Sequence, residues 1–215
     1  MKQINKYICE HFENDKFSIL GHLENTNFSI LEHVENSNFS IVERLHINKD
    51  IKSYNYNYHP TSKTELYKLI KQLIKERGDD ANLNDIDTSE ITDMSELFYL
   101  SKFNVDISNW NVSNVKNMGG MFYKSKFNGD LSNWDVSNVK DMNTMFMWSK
   151  FTGENGDISN WDVSNVTDME GMFAFSEFNG ENGDISNWNV SNVKNMKYMF
   201  TGTSLGKNSP KWYKN

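Results

Sequence analysis

Trp110, Trp134, Trp161, Trp188 and Trp212 follow one another at intervals of 24, 27, 27 and 24 residues, and Ile86 holds the same place 24 residues before Trp110. Around this column runs a single motif, I-x-x-W-x-V-x-x-V-x-x-M-x-x-M-F-x-x-x-x-F-N, from residue 83 to the end of the chain. A period of this length marks stacked coils. One coil cannot bury its apolar edge alone, but neighbours bury theirs against each other and build a continuous core.

Leu83, Ile107, Leu131, Ile158 and Ile185 lead the units, the Ile/Trp column comes three residues later, and Thr88, Val112, Val136, Val163 and Val190 two beyond that. This is an L-x-x-L-x-L spacing. The two-residue step from Trp to Val predicts short parallel strands with both side chains inward. The apolar step then lengthens to three, through Met94, Met118, Met142, Met169 and Met196, to pairs such as Met121-Phe122 and Met145-Phe146. That spacing predicts a short helical turn. Asp93, Asn117, Asp141, Asp168 and Asn195, each just before the Met, read as its N-caps. The expected fold class is therefore a repeat solenoid, leucine-rich-repeat-like, of short parallel strands plus short helical turns. It occupies residues 83–215 as five repeats of 24–27 residues and a partial C-terminal coil. The two longer units carry their extra residues in Gly- and Asn-rich segments, 151–157 and 178–184, where tight turns are tolerated and the coil register is kept. Small polar columns on the strand face, such as Asn109, Asn133, Asn160 and Asn187 or Ser113, Ser137, Ser164 and Ser191, are expected to form ladders that hold the coils in register.

The sequence D-I-S-N-W-D-V-S-N-V-T-D-M, from Asp157 to Met169 and nearly repeated from Asp130 to Met142, resembles the repeat of BspA-like leucine-rich-repeat surface proteins, a type first associated with mycoplasma lipoproteins. The resemblance covers residues 83–212. It implies a leucine-rich-repeat-like solenoid, and a surface or secreted protein of bacteria and some protists implicated in adhesion. It implies no catalytic residues.

Residues 60–82 are expected to form a helix that caps the open end of the stack. Ser62 to Glu65 is a capping-box sequence, Leu66, Leu69, Ile70, Leu73 and Ile74 fall on one face, and Lys75, Arg77 and Gly78 suit its far end. Residues 1–59 are expected to form a separate N-terminal module built on an 11-residue repeat at residues 16–20, 27–31 and 38–42. Two structures fit it: a meander of strands joined by Asn-rich turns, or a long helix with a right-handed supercoil. The Asn, Ser and Thr clusters favour the strands.

No run approaches the roughly 18 apolar residues of a membrane helix, so no membrane span is expected. Residues 1–10 lack the apolar stretch of an export signal, and as written the chain is expected to be cytoplasmic, whereas the family resemblance points to the cell surface. Residues 83–215 carry 17 acidic and 11 basic side chains, within a net charge of −7 for the whole chain. Direct nucleic-acid binding is disfavoured, because phosphate neutralisation dominates that affinity.

Chemistry has no evident seat. The five histidines, His11, His22, His33, His46 and His59, precede the repeats and form no catalytic or metal-helix spacing. The chain is expected to be no enzyme and to need no cofactor. His11, His22 and His33 share one repeat position, which permits a metal or pH-switch reading beside that of solvated strand positions. Glu154, Asp157, Glu181 and Asp184, in adjacent N-G-E-N-G-D loops, permit a calcium reading beside ordinary turn chemistry. The variable columns are more informative. Tyr99, Tyr123, Trp148, Phe175 and Tyr198 make an aromatic stripe along one flank, which reads as a protein-binding hot spot or as packing beneath residues 1–59. The function expected is a protein–protein interaction scaffold of the BspA-like adhesion or host-interaction type. The alternative is an intracellular acidic inhibitor or decoy, for example mobile-element encoded, that binds a nucleic-acid-handling enzyme.

Overall fold

The computed structural model describes residues 56–214. The 11-residue repeats, Cys9, His11, His22, His33 and His46 lie outside the described residues. One α-helix stands ahead of the repeats: α1, Lys63–Arg77. The Ser62 side chain accepts from the Glu65 N–H, and Glu65 reaches back to accept from the N–H and hydroxyl of Thr61. These contacts satisfy donors that a helix start leaves free. At the far end the Gly78 N–H bonds the Ile74 carbonyl at φ 96°, a conformation that favours glycine. Leu66, Ile70, Leu73 and Ile74 are buried and belong to the same apolar core as the first repeats. Two ion pairs pin the helix there: Lys63 with Asp93, and a two-pronged Arg77 with Asp85 at 2.8 and 2.9 Å.

The strand-plus-helical-turn, leucine-rich-repeat-like solenoid expected from the spacing is not what forms. Among the described residues there is no strand and α1 is the only α-helix. Neighbouring coils meet instead at isolated parallel bridges, of which one series runs from Asp93 through Asn117, Asp141 and Asp168 to Asn195.

The hydrogen bonds explain why. In the coil after Asn117, the N–H groups of Met118, Gly120, Phe122 and Lys124 donate to the carbonyls of Asp141, Asn143, Met145 and Met147 in the next coil, at 2.8–2.9 Å. The alternate N–H groups of Met121, Tyr123 and Ser125 donate three residues back, to Met118, Gly120 and Phe122. Every second amide thus joins coils and every other one closes a β-turn. Positive φ recurs every fourth residue, at Gly120 and Lys124, Thr144 and Trp148, Gly171 and Phe175, which breaks both an extended ladder and a helix. The three-residue apolar step is the step of tandem turns.

The expected N-caps are acceptors of another kind. Asp93, Asn117, Asp141, Asp168 and Asn195 accept from the N–H two residues on, an Asx turn rather than a helix start. The Trp–Val step does alternate, with Trp110 and Val112 buried and Asn111 exposed, but turns close on both sides of it, from Trp110 to Ile107 and from Val115 to Val112.

The register is held there by side chains. Each indole donates to the leading residue's carbonyl one coil earlier: Trp110 to Leu83, Trp134 to Ile107, Trp161 to Leu131, Trp188 to Ile158 and Trp212 to Ile185. A second ladder comes from Asn114, Asn138, Asn165 and Asn192, which donate to the carbonyls of Ser89, Ser113, Ser137 and Ser164. Ser113, Ser137 and Ser164, expected to form a ladder through their side chains, contribute backbone carbonyls instead.

Aromatic rings fill the core. Phe98, Phe122, Phe146, Phe173 and Phe200 stack almost parallel, with centroids 5.4–6.0 Å apart. Phe127, Phe151 and Phe178 lie 4.3–4.4 Å from their partners in that column. In the longer units the inserted loop lies against the preceding coil, and a Cβ on Gly156 would stand 2.5 Å from the Leu131 nitrogen. Only glycine fits that approach.

Candidate functional site

The aromatic stripe is assembled by the turn geometry. Tyr99 and Tyr123, one coil apart, stack at 5.0 Å with ring planes 9° apart. Trp148 and Phe175 stack at 4.3 Å and 10°. Between the two pairs stands Lys124, its Nζ 5.5 Å from the Tyr123 ring and 5.9 Å from the Trp148 ring. The result is a continuous ridge of ring, ring, cation, ring, ring across four coils. Tyr198, in the fifth coil, is the most exposed of the set but makes no ring contact with the other four, and it stands in a second positive-φ column, that of Glu96 and Thr144.

Among the described residues the ridge combines exposed apolar side chains with left-handed backbone; Glu96 and Thr144 share that backbone without a ring, and Tyr67 on α1 is an exposed ring without it. Tyr99 is 47 % exposed, Leu100 53 %, Trp148 47 %, Phe175 40 % and Tyr198 60 %, whereas the aromatic rings of the Phe ladder are buried. Leu100, Lys124, Trp148 and Phe175 occupy one positive-φ column, at 51–61°. A side chain in the left-handed region costs roughly 1–2 kcal/mol relative to glycine. The fifth position of the same column is Gly202, where a Cβ would stand 2.3 Å from the Phe175 ring. Large side chains thus stand where the backbone favours glycine, and the one glycine present makes room for a ring of the ridge. Conformational cost of this kind collects at functional sites. The alternative reading, packing beneath residues 1–59, concerns residues largely outside those described.

Charge on the ridge runs against the chain's net balance. Lys102 and Lys126, both exposed, follow Leu100 and Lys124 by two residues, and Lys150 follows Trp148 likewise. Lys150 is paired with Glu177. Among the described residues Lys102, Lys124 and Lys126 have no carboxylate partner.

The acidic loops come together elsewhere. Glu154, Asp157, Glu181 and Asp184 line one open cleft with Ser132 and Ser159. Asp157 and Asp184 already accept from Ser159 and Ser186 in Asx turns, and the bonds from Ser186 hold the Asp184 carboxyl below the usual range. Among the described residues no three His, Cys, Asp or Glu side chains are placed to share a metal ion. His59, the one described histidine, faces Asp87 at 3.3 Å.

The sequence matches the family described as "Mycoplasma protein of unknown function, DUF285" over residues 64–179 and 147–214. No curated protein matches the chain, and no solved structure does. No helix among the described residues is long and apolar enough to cross a membrane.

Proposed function

This chain belongs to the family of Mycoplasma proteins of unknown function, DUF285, and we propose that it is a non-enzymatic scaffold that binds another protein along the ridge of Tyr99, Tyr123, Trp148, Phe175 and Tyr198. The observation that carries the reading is the positive-φ column, in which Trp148 and Phe175 keep large exposed rings at backbone positions suited to glycine. Interface energy concentrates in such aromatic anchors. The resemblance to BspA-like repeats supports an adhesion or host-interaction setting for that partner.

Trp148→Gly tests it, because the substitution removes the ring and relaxes the backbone at once. Capture of partners from a lysate by the immobilised chain is expected to fall at least about tenfold, the loss of one hot-spot contact, with the melting temperature within roughly 4 °C of the parent. Unchanged capture by the folded variant would end the reading. A second reading, an acidic decoy for a nucleic-acid-handling enzyme, draws on Asp106, Asp130, Asp157 and Asp184, which repeat one carboxylate at the same position of successive coils. It requires that the chain compete with DNA or RNA for such an enzyme.

A further inference from the structure

We infer that the ridge takes an acidic, apolar peptide segment, whose carboxylates sit against Lys124 and the ring edges while its apolar side chains lie along the stack. The inference rests on the proposed protein-binding role of this surface and names the chemistry of the partner.

Three observations lead to it. The rings of the ridge spend their faces on one another: Tyr99 on Tyr123, Trp148 on Phe175, with Lys124 over the remaining faces of Tyr123 and Trp148. Phe175 in turn lies against Gly202. What these four rings leave open to a ligand is their edges and the outer face of Tyr99. An aromatic ring is negative on its face and positive at its edge, so a stack seen from the side attracts carboxylate oxygen rather than a cation. The lysines point the same way, since Lys102, Lys124 and Lys126 carry three positive charges with no carboxylate partner among the described residues. A protein of net charge −7 that keeps Lys124, with no carboxylate partner among the described residues, between its exposed rings is complementary there to negative charge.

Nucleic acid is the competing anion, since lysines interleaved with aromatic rings also serve single-stranded DNA and RNA. That mode needs successive open ring faces on which bases stack, and among the four stacked rings only the outer face of Tyr99 has nothing over it among the described residues. A long polyanion would also meet the repeated Asp side chains of the same coils. A peptide with a few spaced carboxylates avoids both obstacles.

The test is fluorescence anisotropy with the full chain and three labelled probes: a peptide alternating glutamate and leucine, its lysine–leucine counterpart, and single-stranded oligodeoxythymidine. The glutamate–leucine peptide is expected to bind, and raised salt to weaken it. Lys124→Glu is expected to weaken it by about tenfold or more, as is Lys124→Asn, whose side chain tolerates positive φ. Lys116→Glu, on a different part of the coil, is expected to leave it unchanged. Melting curves confirm that each variant is folded. Equal or tighter binding of the lysine–leucine peptide or of the oligonucleotide overturns the inference, as does glutamate–leucine binding indifferent to Lys124. If no peptide binds while Trp148→Gly still abolishes partner capture, the charge assignment fails and the ridge remains an interaction surface.

Discussion

Trp148, Phe175, Lys124 and Leu100 show how a repeat can keep a constant core beside a variable exposed column. The buried columns repeat with little change, as stacked coils require, while this exposed column varies in every unit. Its positive φ could not be read in advance. The position holds Leu, Lys, Trp and Phe, none of which signals a left-handed backbone, and only Gly202 in the same column gives a hint. The aromatic stripe itself was legible, because Tyr99, Tyr123, Trp148 and Phe175 follow the paired apolar residues of their units. The conformational cost gives a direct prediction. Leu100→Gly and Lys124→Gly remove exposed side chains from strained positions, and each should leave the chain as stable as the parent or more stable by up to about 1 kcal/mol, after the entropy of an added glycine is deducted. Chemical denaturation measures this. A loss well beyond 1 kcal/mol in both would mean that these side chains are structural.

At the scale of elements, α1 was the most legible part, since its capping sequence, apolar face and terminal glycine are all local signals. The coil was legible in its period and misleading in its geometry. A three-residue apolar step arises from one helical turn or from overlapping β-turns, and what separates them is backbone φ at Gly120, Lys124 and their equivalents. The inter-coil ladder from Asn114, Asn138, Asn165 and Asn192 was missed for a related reason: at the sequence level these residues differ in no way from the other exposed asparagines, and only the turn aims them at the previous coil. The joint between α1 and the first coil carries a pH prediction. Arg77 holds the Asp85 carboxyl below the usual carboxylate range, helped by Asn57 and opposed by burial. A depressed folded-state value means stability that is present above the unfolded value, near 4, and is lost as pH falls through the folded one. Asp85→Asn should therefore cost about 1 kcal/mol at neutral pH, and the gap to the parent should close below pH of about 4. Melting curves against pH check it. A gap that persists in acid would mean that the pair matters for shape and not for charge.

The described molecule is a stack in which each coil completes the hydrogen bonding of its neighbour, and one coil differs from the others in what it lacks. The N–H groups of Met196, Tyr198, Phe200 and Gly202 correspond to those that join coils elsewhere, yet among the described residues they find no acceptor. Amide hydrogen exchange of the 215-residue chain reads this contrast directly. If alternate amides bridge coils, those of Met118, Gly120, Phe122 and Lys124 exchange at least about a hundredfold more slowly than those of Met196, Tyr198, Phe200 and Gly202. Equal rates in the two sets would contradict the stack of turns and the ridge that stands on it.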